Sequence, residues 1–234
     1  MPLPLYLAMT AAEVASVEAL PEKTAWMACH FSCYGTGLSN LPRELPEGAM
    51  LILNDRTPIC GHDPTRIGEQ LEQLASVFSC SGILLDFQRP GVAETAQLCA
   101  HLVSTLPCPV GVTEFYAKEL DCPVFLSPLP PGTALDAHIA PWAGRELWLE
   151  AATDTRVAVI TEKGCTWQDD DDAYAESTWF DEPSLHCRYC WSADAQQAVV
   201  ILRREAEHIP SLLEEAERLG ITRTVGLYQQ LGQK

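Results

Sequence analysis

Eight short apolar runs recur along the chain and most strongly constrain its fold. Several are nearly continuous rather than alternating, which is typical of strands that are covered on both faces. Strands of that kind belong mostly to parallel sheets with helices packed against them. The runs are Leu3–Ala8, Ala25–Phe31, Met50–Leu53, Gly82–Phe87, Val110–Phe115, Pro123–Leu126, Glu146–Ala151 and Thr224–Tyr228. The pattern therefore predicts an α/β fold built on parallel strands.

Segments with helical periodicity lie between these runs. The clearest begins at Pro64, where Asp63 provides a capping side chain and proline takes the first helical position. Other connections, such as Ser39–Gly48 and Ser127–Gly132, are short or rich in proline and cannot all contain full helices. The predicted helical segments are Ala11–Leu20, Pro64–Phe78, Val92–Leu106 and Glu205–Leu219. Together the patterns predict a parallel α/β fold, and a trimmed (β/α)8 barrel of the TIM type if the strands close into a ring.

Residues 153–204 interrupt this alternation. Four runs there have the pattern of antiparallel strands, with Lys163-Gly164 and Ser192–Gln197 as turns: Val157–Thr161, Cys165–Trp167, Leu185–Trp191 and Ala198–Arg203. We predict a barrel of residues 1–152 and 205–234, with a small antiparallel β insertion of residues 153–204 after the seventh strand. The acidic run Asp169–Asp172 lacks the alternating ligand spacing of a calcium loop, which favours a solvated loop.

The charge of the chain limits its partners. With 32 acidic residues against 15 lysines and arginines, the formal net charge is −17. A charge of this sign opposes binding to nucleic acid or to anionic membranes, whose affinity comes largely from cationic contacts. We therefore expect neither nucleic acid nor membrane as a partner. A carbohydrate or another small polar ligand is easier to accommodate.

The start of the chain and its cysteines suggest a reducing environment. Residues 1–10 have no basic region and too short an apolar run to span a bilayer, so we expect a first strand and a cytoplasmic protein. The one tight cysteine pair is Cys187 and Cys190, within a strand-like run. Because a second ligand pair and a strand-to-helix context are both missing, plain thiols are favoured over a metal or redox site. We expect no metal and no cofactor.

The fourth apolar run ends in a cluster of polar side chains. Asp86, Gln88 and Arg89 follow Ile83–Leu85 directly. Side chains just past the carboxyl end of a parallel strand face the mouth of the sheet or barrel, where ligands bind. We therefore expect these three residues at a ligand site.

Residues 81–88 resemble the fourth-strand signature of the chitinase-like glycoside hydrolase family 18, Asp-x-x-Asp-x-Asp-x-Glu. On this chain the four signature positions fall on Ser81, Leu84, Asp86 and Gln88, so one of the four acids is kept. In that family the final Glu is the general acid, and the preceding Asp supports the acetamido group of the substrate. The family also inserts a small α+β subdomain after the seventh strand and often ends its eighth strand in Trp, where this chain has Tyr228.

The resemblance implies a degenerate, non-catalytic member of this family. A glutamine cannot transfer the proton that glycoside cleavage needs at the leaving oxygen, although it can bind a sugar hydroxyl. We therefore expect a carbohydrate-binding, lectin-like or weakly active barrel. Polar residues at the ends of several strands are the candidates for ligand binding: His30, Asp55, Gln88, Arg89, Tyr116 and Tyr228. Local ion pairs, Asp55 with Arg56 and Asp86 with Arg89, are the alternative interpretation of some of these residues.

Two other functions stay open. An active glycosidase needs two carboxyl groups at a suitable separation, and Asp86, Glu114 and Glu150 are candidates on three strands. Glu114 is the preferred acid, since the flanking Val112 and Phe115 predict an apolar setting that raises the pKa of a carboxyl group. The other hypothesis is a protein-interaction barrel in which the insertion with Asp169–Asp172 binds a basic partner.

Overall fold

The computed structural model describes residues 3–33, 37–59, 61–168 and 178–232. The chain divides into two compact units. The barrel unit comprises Met1–Ser127, Gly144–Glu150 and Gly220–Lys234, and the sheet unit comprises Pro128–Ala143 and Ala151–Leu219. The domain boundaries given above stay a prediction.

The barrel unit contains a closed ring of eight parallel strands, as the apolar runs predicted. Its strands are β1 (Leu5–Met9), β2 (Thr24–Phe31), the short β3 (Leu38–Ser39), β4 (Met50–Asn54), β5 (Gly82–Asp86), β6 (Val110–Thr113), β7 (Val124–Leu126), β8 (Leu147–Glu150) and β14 (Arg223–Leu227). The order around the ring is β1-β2-β4-β5-β6-β7-β8-β14, and β14 pairs with β1 to close it. Strand β3 adds antiparallel to β2 outside this ring.

Helices of the barrel unit follow its strands, and two of them begin at a side-chain cap. They are α1 (Ala11–Ser16), α2 (Pro64–Val77), α3 (Ala93–Thr105), α4 (Glu114–Ala117) and α7 (Tyr228–Leu231). The Asp63 carboxylate caps α2 by accepting the N–H of Thr65 at 3.0 Å. Thr10 and Glu13 form a reciprocal capping box on α1.

Several predicted boundaries in the barrel unit were wrong. Helix α1 ends at Ser16 rather than Leu20, because Val17 is already extended. The strand expected to reach Phe115 stops at Thr113, where its pairing with β7 ends, and Glu114 begins α4. Tyr228 likewise begins α7 instead of ending β14. At both of these strand ends the chain turns into a short helix, and this changes the direction of the side chains that follow.

The interior of the barrel is filled mainly by apolar side chains around Trp148, which is fully buried. Other members of this cluster are Tyr6, Ala8, Ala25, Met50, Ile52, Leu84, Phe125 and Val225. A Cβ atom at Gly111 would overlap the Trp148 ring, so glycine is required on β6 beside it. The indole N–H donates to Glu146 at 3.1 Å, and the Arg223 guanidinium lies 4.7 Å from the ring centre. The Trp148 ring thus fills the interior of the amino-terminal half of the barrel.

The sheet unit holds one five-stranded antiparallel sheet, as expected of the insertion. Its strands are β9 (Asp154–Thr161), β10 (Gly164–Gln168), β11 (Phe180–Glu182), β12 (Cys187–Ala193) and β13 (Gln197–Arg204), and its helices are α5 (Leu135–Ile139) and α6 (Ile209–Arg218). The strand order is β10-β9-β13-β12-β11. Strand β11 was not predicted from the sequence. The acidic run Asp169–Asp172 lies outside the described residues.

Strand β12 begins later than predicted for a local reason. Pro183–Leu185 form a 3-10 turn, and His186 then takes a left-handed backbone conformation with φ 48°. The strand therefore starts at Cys187 rather than Leu185. Cys187 and Cys190 are both buried and free, and the Cys190 side chain packs in the core of the sheet.

Within the described parts of the chain, no helix combines the length and the apolar character needed to cross a membrane.

Candidate functional site

Two acidic side chains meet at a small cavity in the carboxyl end of the barrel. Asp86 is the last residue of β5, and Glu150 is the last residue of β8. Both line a cavity of about 50 Å³, here called the floor cavity. Its other walls come mostly from interior residues, among them Met27, Ile52, Leu84, Phe125 and Leu227. Closure of the barrel thus places two carboxyl groups in a largely apolar space.

Burial in this space changes the acidity of both groups. It raises the pKa of Glu150 to about 7, and the Asp86 carboxylate adds to the rise. It also raises the pKa of Asp86, to which the Asp55 charge adds, while the Gln88 amide opposes it by hydrogen bonding to the ionised form. Near neutral pH Glu150 is therefore partly protonated. The two carboxyl groups thus share a proton at a pH at which carboxyl groups of ordinary pKa are ionised.

A larger and more polar cavity opens beside the first. This rim cavity, of about 450 Å³, is lined by Asp86 and Gln88 together with His30, Asn54, Asp55 and Arg56, among others. Asp86, Asn54 and Met27 line both cavities. Asp86 therefore lies where the apolar floor meets the polar rim.

Gln88 interacts directly with Asp86. Its side-chain N–H donates to Asp86 Oδ1 at 2.5 Å, and the side chain is exposed. An amide engaged through its nitrogen keeps its carbonyl oxygen available as an acceptor. Gln88 and Asp86 thus present acceptor oxygens to the rim cavity, and the amide stabilises the ionised carboxylate.

Asp55 and Tyr116 hold the loop that carries Gln88 and Arg89. The buried Asp55 carboxylate accepts the backbone N–H of Arg89 at 3.0 Å. The Tyr116 hydroxyl donates to the Arg89 carbonyl and accepts the N–H of Val92 at 3.3 Å. The Arg89 side chain in turn donates to the Arg56 carbonyl at 3.3 Å. Both Asp55 and Tyr116 therefore fix the backbone after β5 through their polar groups.

The remaining candidate residues lie in different settings. His30 lines the rim cavity, and its Nδ1 hydrogen-bonds to the Ala28 carbonyl at 2.9 Å. Glu114 accepts the Ser127 hydroxyl at 2.5 Å and lines neither cavity, and its neighbour Phe115 is 44% exposed. Tyr228 also lines neither cavity, and its ring lies close to Gly232 in α7. The structure thus places His30, Asp55, Gln88 and Asp86 around one cavity, Glu150 beneath it, and Glu114 and Tyr228 outside both linings.

The alternative of local ion pairs is not what these side chains form. Among the described residues, neither Asp55 nor Asp86 has an arginine, lysine or histidine side chain within 4.0 Å. Asn54, which was not among the candidate site residues predicted from the sequence, is tied to β2 by donating its side-chain N–H to the Met27 carbonyl at 2.8 Å. A polar residue at a strand end was the only sequence signal available for it.

No group of three or more His, Cys, Asp or Glu side chains is placed to hold a metal ion in the ranges that the structure describes.

No protein-family model matches the sequence, and a search of the curated proteins finds no match. Solved structures do match the fold. A glutamate-to-glutamine variant of the class V chitinase from Nicotiana tobaccum, in complex with NAG4, has a TM-score of 0.61 and 11% identity over 97% of this chain and 93% of that chain. The glycoside hydrolase family 18 N-acetylglucosaminidase from Paenibacillus barengoltzii has a TM-score of 0.59 and 11% identity, covering 96% of this chain and 94% of that one.

The spore cortex-lytic enzyme SleL from Bacillus cereus is also similar, with a TM-score of 0.55 and 11% identity over 96% of this chain and 70% of that chain. At such low identity these similarities show the fold alone. The chain has the barrel fold of the family 18 chitinases, and the resemblance that the sequence suggested is confirmed at that level.

Proposed function

We propose that the carboxyl end of the barrel binds a carbohydrate chain, as a lectin does, and cleaves it weakly or not at all. This proposal rests mainly on the position of Gln88, whose amide is hydrogen-bonded to Asp86 at the rim cavity. It occupies the place at which the resemblance to family 18 puts the general acid. A barrel of the same fold, the Nicotiana tobaccum chitinase with a glutamate changed to glutamine, is in complex with NAG4.

The composition of the rim cavity supports binding of a sugar. Its volume of about 450 Å³ falls within the roughly 300–1,000 Å³ of ligand pockets. Asp86 and Gln88 offer oxygen acceptors, and the Asn54 and His30 side chains add amide and imidazole groups. A sugar has many hydroxyl groups, each of which both donates and accepts. Net negative charge at the rim is compatible with such a neutral ligand.

The position of the proton argues against efficient cleavage. The Gln88 amide is too weak an acid to protonate a leaving oxygen, and the group that holds an acidic proton near neutral pH is Glu150. Glu150 lines the floor cavity and does not line the rim cavity. We therefore infer that Glu150 does not contact the glycosidic oxygen of a sugar bound in the rim cavity.

Calorimetric titration with NAG4 tests the binding, extended to a panel of chitin, peptidoglycan and plant oligosaccharides. We expect binding by the wild type and at least about tenfold weaker binding by Gln88→Ala, the equivalent of roughly 1.4 kcal/mol. Gln73→Ala is the matched control, because Gln73 is an exposed glutamine on α2. Absence of heat with every sugar, or equal affinity of the two variants, would contradict the proposal.

A gain-of-function variant tests the place of residue 88. If this is the acid position, Gln88→Glu raises the rate of hydrolysis of an aryl chitooligosaccharide by about 10²-fold or more over wild type. Gln73→Glu, with the same change of charge, has no effect. An unchanged rate would show that residue 88 does not lie at the leaving oxygen, and would leave the binding result to stand by itself.

An active glycosidase is the second candidate, favoured by the raised pKa of Glu150 beside Asp86. It predicts turnover of aryl glycosides by the wild type and loss of turnover in Glu150→Gln. The original preference for Glu114 is tested by Glu114→Gln in the same assay. A wild type that is silent over a broad aryl-glycoside panel would remove this candidate.

Two further predictions from the sequence are kept as proposals. A protein-interaction role of the acidic insertion predicts a salt-sensitive pulldown that is lost when residues 168–176 are deleted. The cytoplasmic location is tested by cell fractionation with a tagged full-length chain.

A further inference from the structure

One face of the five-stranded sheet leaves large apolar side chains uncovered. Among the described residues of the sheet unit, the exposed large hydrophobic side chains are Ile160, Trp167, Phe180 and Trp191. They lie on different strands, namely β9, β10, β11 and β12. Trp191 is 62% exposed and Trp167 is 50% exposed. Apolar side chains that are exposed as a group mark interaction sites, whereas single exposed ones are common.

The strand register puts these side chains on the same face of the sheet. Residues directly opposite each other in paired strands share a face, and so do residues two positions apart along a strand. Trp191 is opposite Val200, Val200 is opposite Ala158, and Ala158 is opposite Trp167. This central row is flanked on the same face by one row of Ala193, Ala198, Ile160 and Cys165, and by another of Phe180, Tyr189, Leu202 and Arg156. These three rows are called the aromatic face below.

The composition of the aromatic face is that of a protein–protein contact. Its three rows, all within the described residues, contain no Lys, Asp or Glu, and Arg156 is their one charged residue. The Arg156 guanidinium lies 4.1 Å from the centre of the Trp167 ring, where it makes a cation–π contact. Trp, Tyr, Phe and Arg are enriched in interfaces, whereas Lys, Glu and Asp are depleted. A sugar would need several convergent polar groups, and this face offers few.

The size of the aromatic face is sufficient for a dimer of modest affinity. Trp167, Phe180 and Trp191 are about half exposed, and aromatic side chains have about 150–250 Å² to bury, so these rings offer about 300 Å². With Ile160, Cys165 and the partly exposed members, the face offers roughly 600 Å² per copy. Two copies would thus bury about 1,200 Å², the lower end of the range for specific interfaces.

The shape of the central row suits pairing with a second copy. Trp191 and Trp167 stand at its ends, about 14 Å apart at a strand spacing of about 4.8 Å, with the smaller Val200 and Ala158 between them. A two-fold symmetric interface uses the same patch on both subunits. A two-fold axis parallel to the strands would set Trp191 of one copy against Trp167 of the partner subunit.

We propose that the chain forms a two-fold symmetric dimer in which the aromatic faces of two copies pack on each other, with a Kd in the micromolar range. The net charge of −17 on each copy opposes this association, so the dimer tightens when salt screens the repulsion. A basic protein bound to an acidic surface would show the opposite dependence on salt. This inference does not rest on the proposed carbohydrate binding.

Sedimentation velocity of the full-length chain tests the proposal, at low and at high salt and from about 0.1 to 100 μM, on either side of the expected Kd. We expect conversion from monomer to dimer. Trp191→Ala should raise the Kd at least about thirtyfold, since the ring is lost from both copies. Ile160→Glu, which puts like charges into the contact, should abolish the dimer. Val77→Ala is the matched control, because Val77 is 67% exposed but lies on α2 of the barrel unit.

Alkylation of cysteines locates the contact. Cys165 belongs to the aromatic face and Cys33 to the barrel unit, and both are exposed. After a short pulse of iodoacetamide, mass spectrometry of the fragments gives the rate at each thiol. We expect the rate at Cys165 to fall in proportion to the fraction of monomer, while the rate at Cys33 stays the same. In Trp191→Ala both rates should be independent of protein concentration over the same range.

Three outcomes would overturn the proposal. The chain could stay monomeric at about 100 μM and high salt, well above the expected Kd. It could form a dimer in which Cys165 keeps its rate of alkylation. A monomer that insoluble chitin or peptidoglycan retains, and that Trp191→Ala releases, would identify the face as a sugar-binding surface. Urea denaturation below the Kd checks that each variant folds, and if Trp191→Ala does not, Ile160→Glu and the protection of Cys165 in the wild type decide.

Discussion

The two ends of the barrel are built from the same eight strands but differ in what they bury. At the amino end, Trp148 fills the interior, and its polar neighbours Glu146 and Arg223 pair with its N–H and its ring. At the carboxyl end, Asp86 and Glu150 share a small cavity in which no arginine or lysine among the described residues neutralises them. One end is packed and its polar groups are satisfied, whereas the other keeps buried carboxyl groups.

This difference separates the end whose packing stabilises the barrel from the end that we propose binds a ligand. Burial of an uncompensated carboxyl group costs free energy, and here the cost appears as the raised pKa of Glu150. A fold tolerates such a cost when packing elsewhere offsets it. We therefore expect substitutions at the amino end to change stability and those at the carboxyl end to change binding.

The largest effect on stability is expected from replacing Trp148 at the amino end of the barrel. Trp148→Ala removes a fully buried ring from the barrel interior and should lower the free energy of unfolding by about 3–5 kcal/mol. Urea denaturation measures the change. Trp191→Ala is the control, since Trp191 is 62% exposed and its loss should change stability by about 0.5 kcal/mol or less. Equal effects of the two substitutions would mean that the amino end does not carry the stability of the barrel.

The second prediction concerns pH and Glu150. Its pKa in the folded protein, about 7, lies above the ordinary value of 4.5, so the folded state holds a proton that the unfolded state releases. This contribution to stability is complete below about pH 4.5 and is lost as the pH rises to about 7, on the order of 3 kcal/mol. Glu150→Gln should flatten this slope in urea titrations at several pH values.

Glu72→Gln, on the exposed face of α2, removes the same kind of charge at a site that does not line the floor cavity. It should keep the wild-type slope. A Glu150→Gln protein with an unchanged pH profile would show that the floor cavity does not hold this proton.

A substitution of Asp86 tests whether the carboxyl end of the barrel binds sugar. Asp86→Asn removes the charge at the junction of the two cavities while keeping the size of the side chain. Because the substitution also weakens the hydrogen bond from the Gln88 amide to residue 86, we expect at least about tenfold weaker sugar binding, roughly 1.4 kcal/mol. Stability near neutral pH should stay the same or rise, since a buried charge is removed. A large loss of stability with unchanged affinity would reverse the comparison between the two ends.

The smallest effect is expected from the loop after β5. Tyr116→Phe removes the hydroxyl that bonds the Arg89 carbonyl and the Val92 N–H, and should cost about 1 kcal/mol of stability. Sugar affinity should fall slightly, because the loop that carries Gln88 is less well fixed. Tyr189→Phe in the sheet unit is the control. An unchanged stability in Tyr116→Phe would indicate that the hydroxyl does not hold this loop.

The sequence predicted parallel strands because these strands are buried on both faces and therefore form continuous apolar runs, as Met50–Leu53 and Gly82–Phe87 do. The resemblance to family 18 then implied that they close into a barrel. Short elements such as β11 and α4 carry too few residues for a periodic signal. Their positions depend on which neighbouring strand they pair with or where that pairing stops.

The candidate site was only partly predictable. The rule that parallel strands present polar groups at their carboxyl ends led to Asp86 and Gln88, both of which line the rim cavity. It could not tell which way a side chain points once the strand has become a helix. Tyr116 was expected to face a ligand, but its side chain is buried and Phe115 is exposed instead. The meeting of Asp86 with Glu150 depends on barrel closure, which brings together strands far apart in sequence.

The central claim is that the carboxyl end binds a carbohydrate without cleaving it efficiently. The most direct measurement is calorimetric titration of the wild-type protein with NAG4, followed by mass spectrometry of the recovered sugar after prolonged incubation. We predict saturable binding, a fall of at least about tenfold in affinity for Gln88→Ala, and recovery of the intact tetramer. Rapid conversion of the tetramer to shorter sugars, or the absence of binding by NAG4 and by every sugar of the panel, would contradict the account.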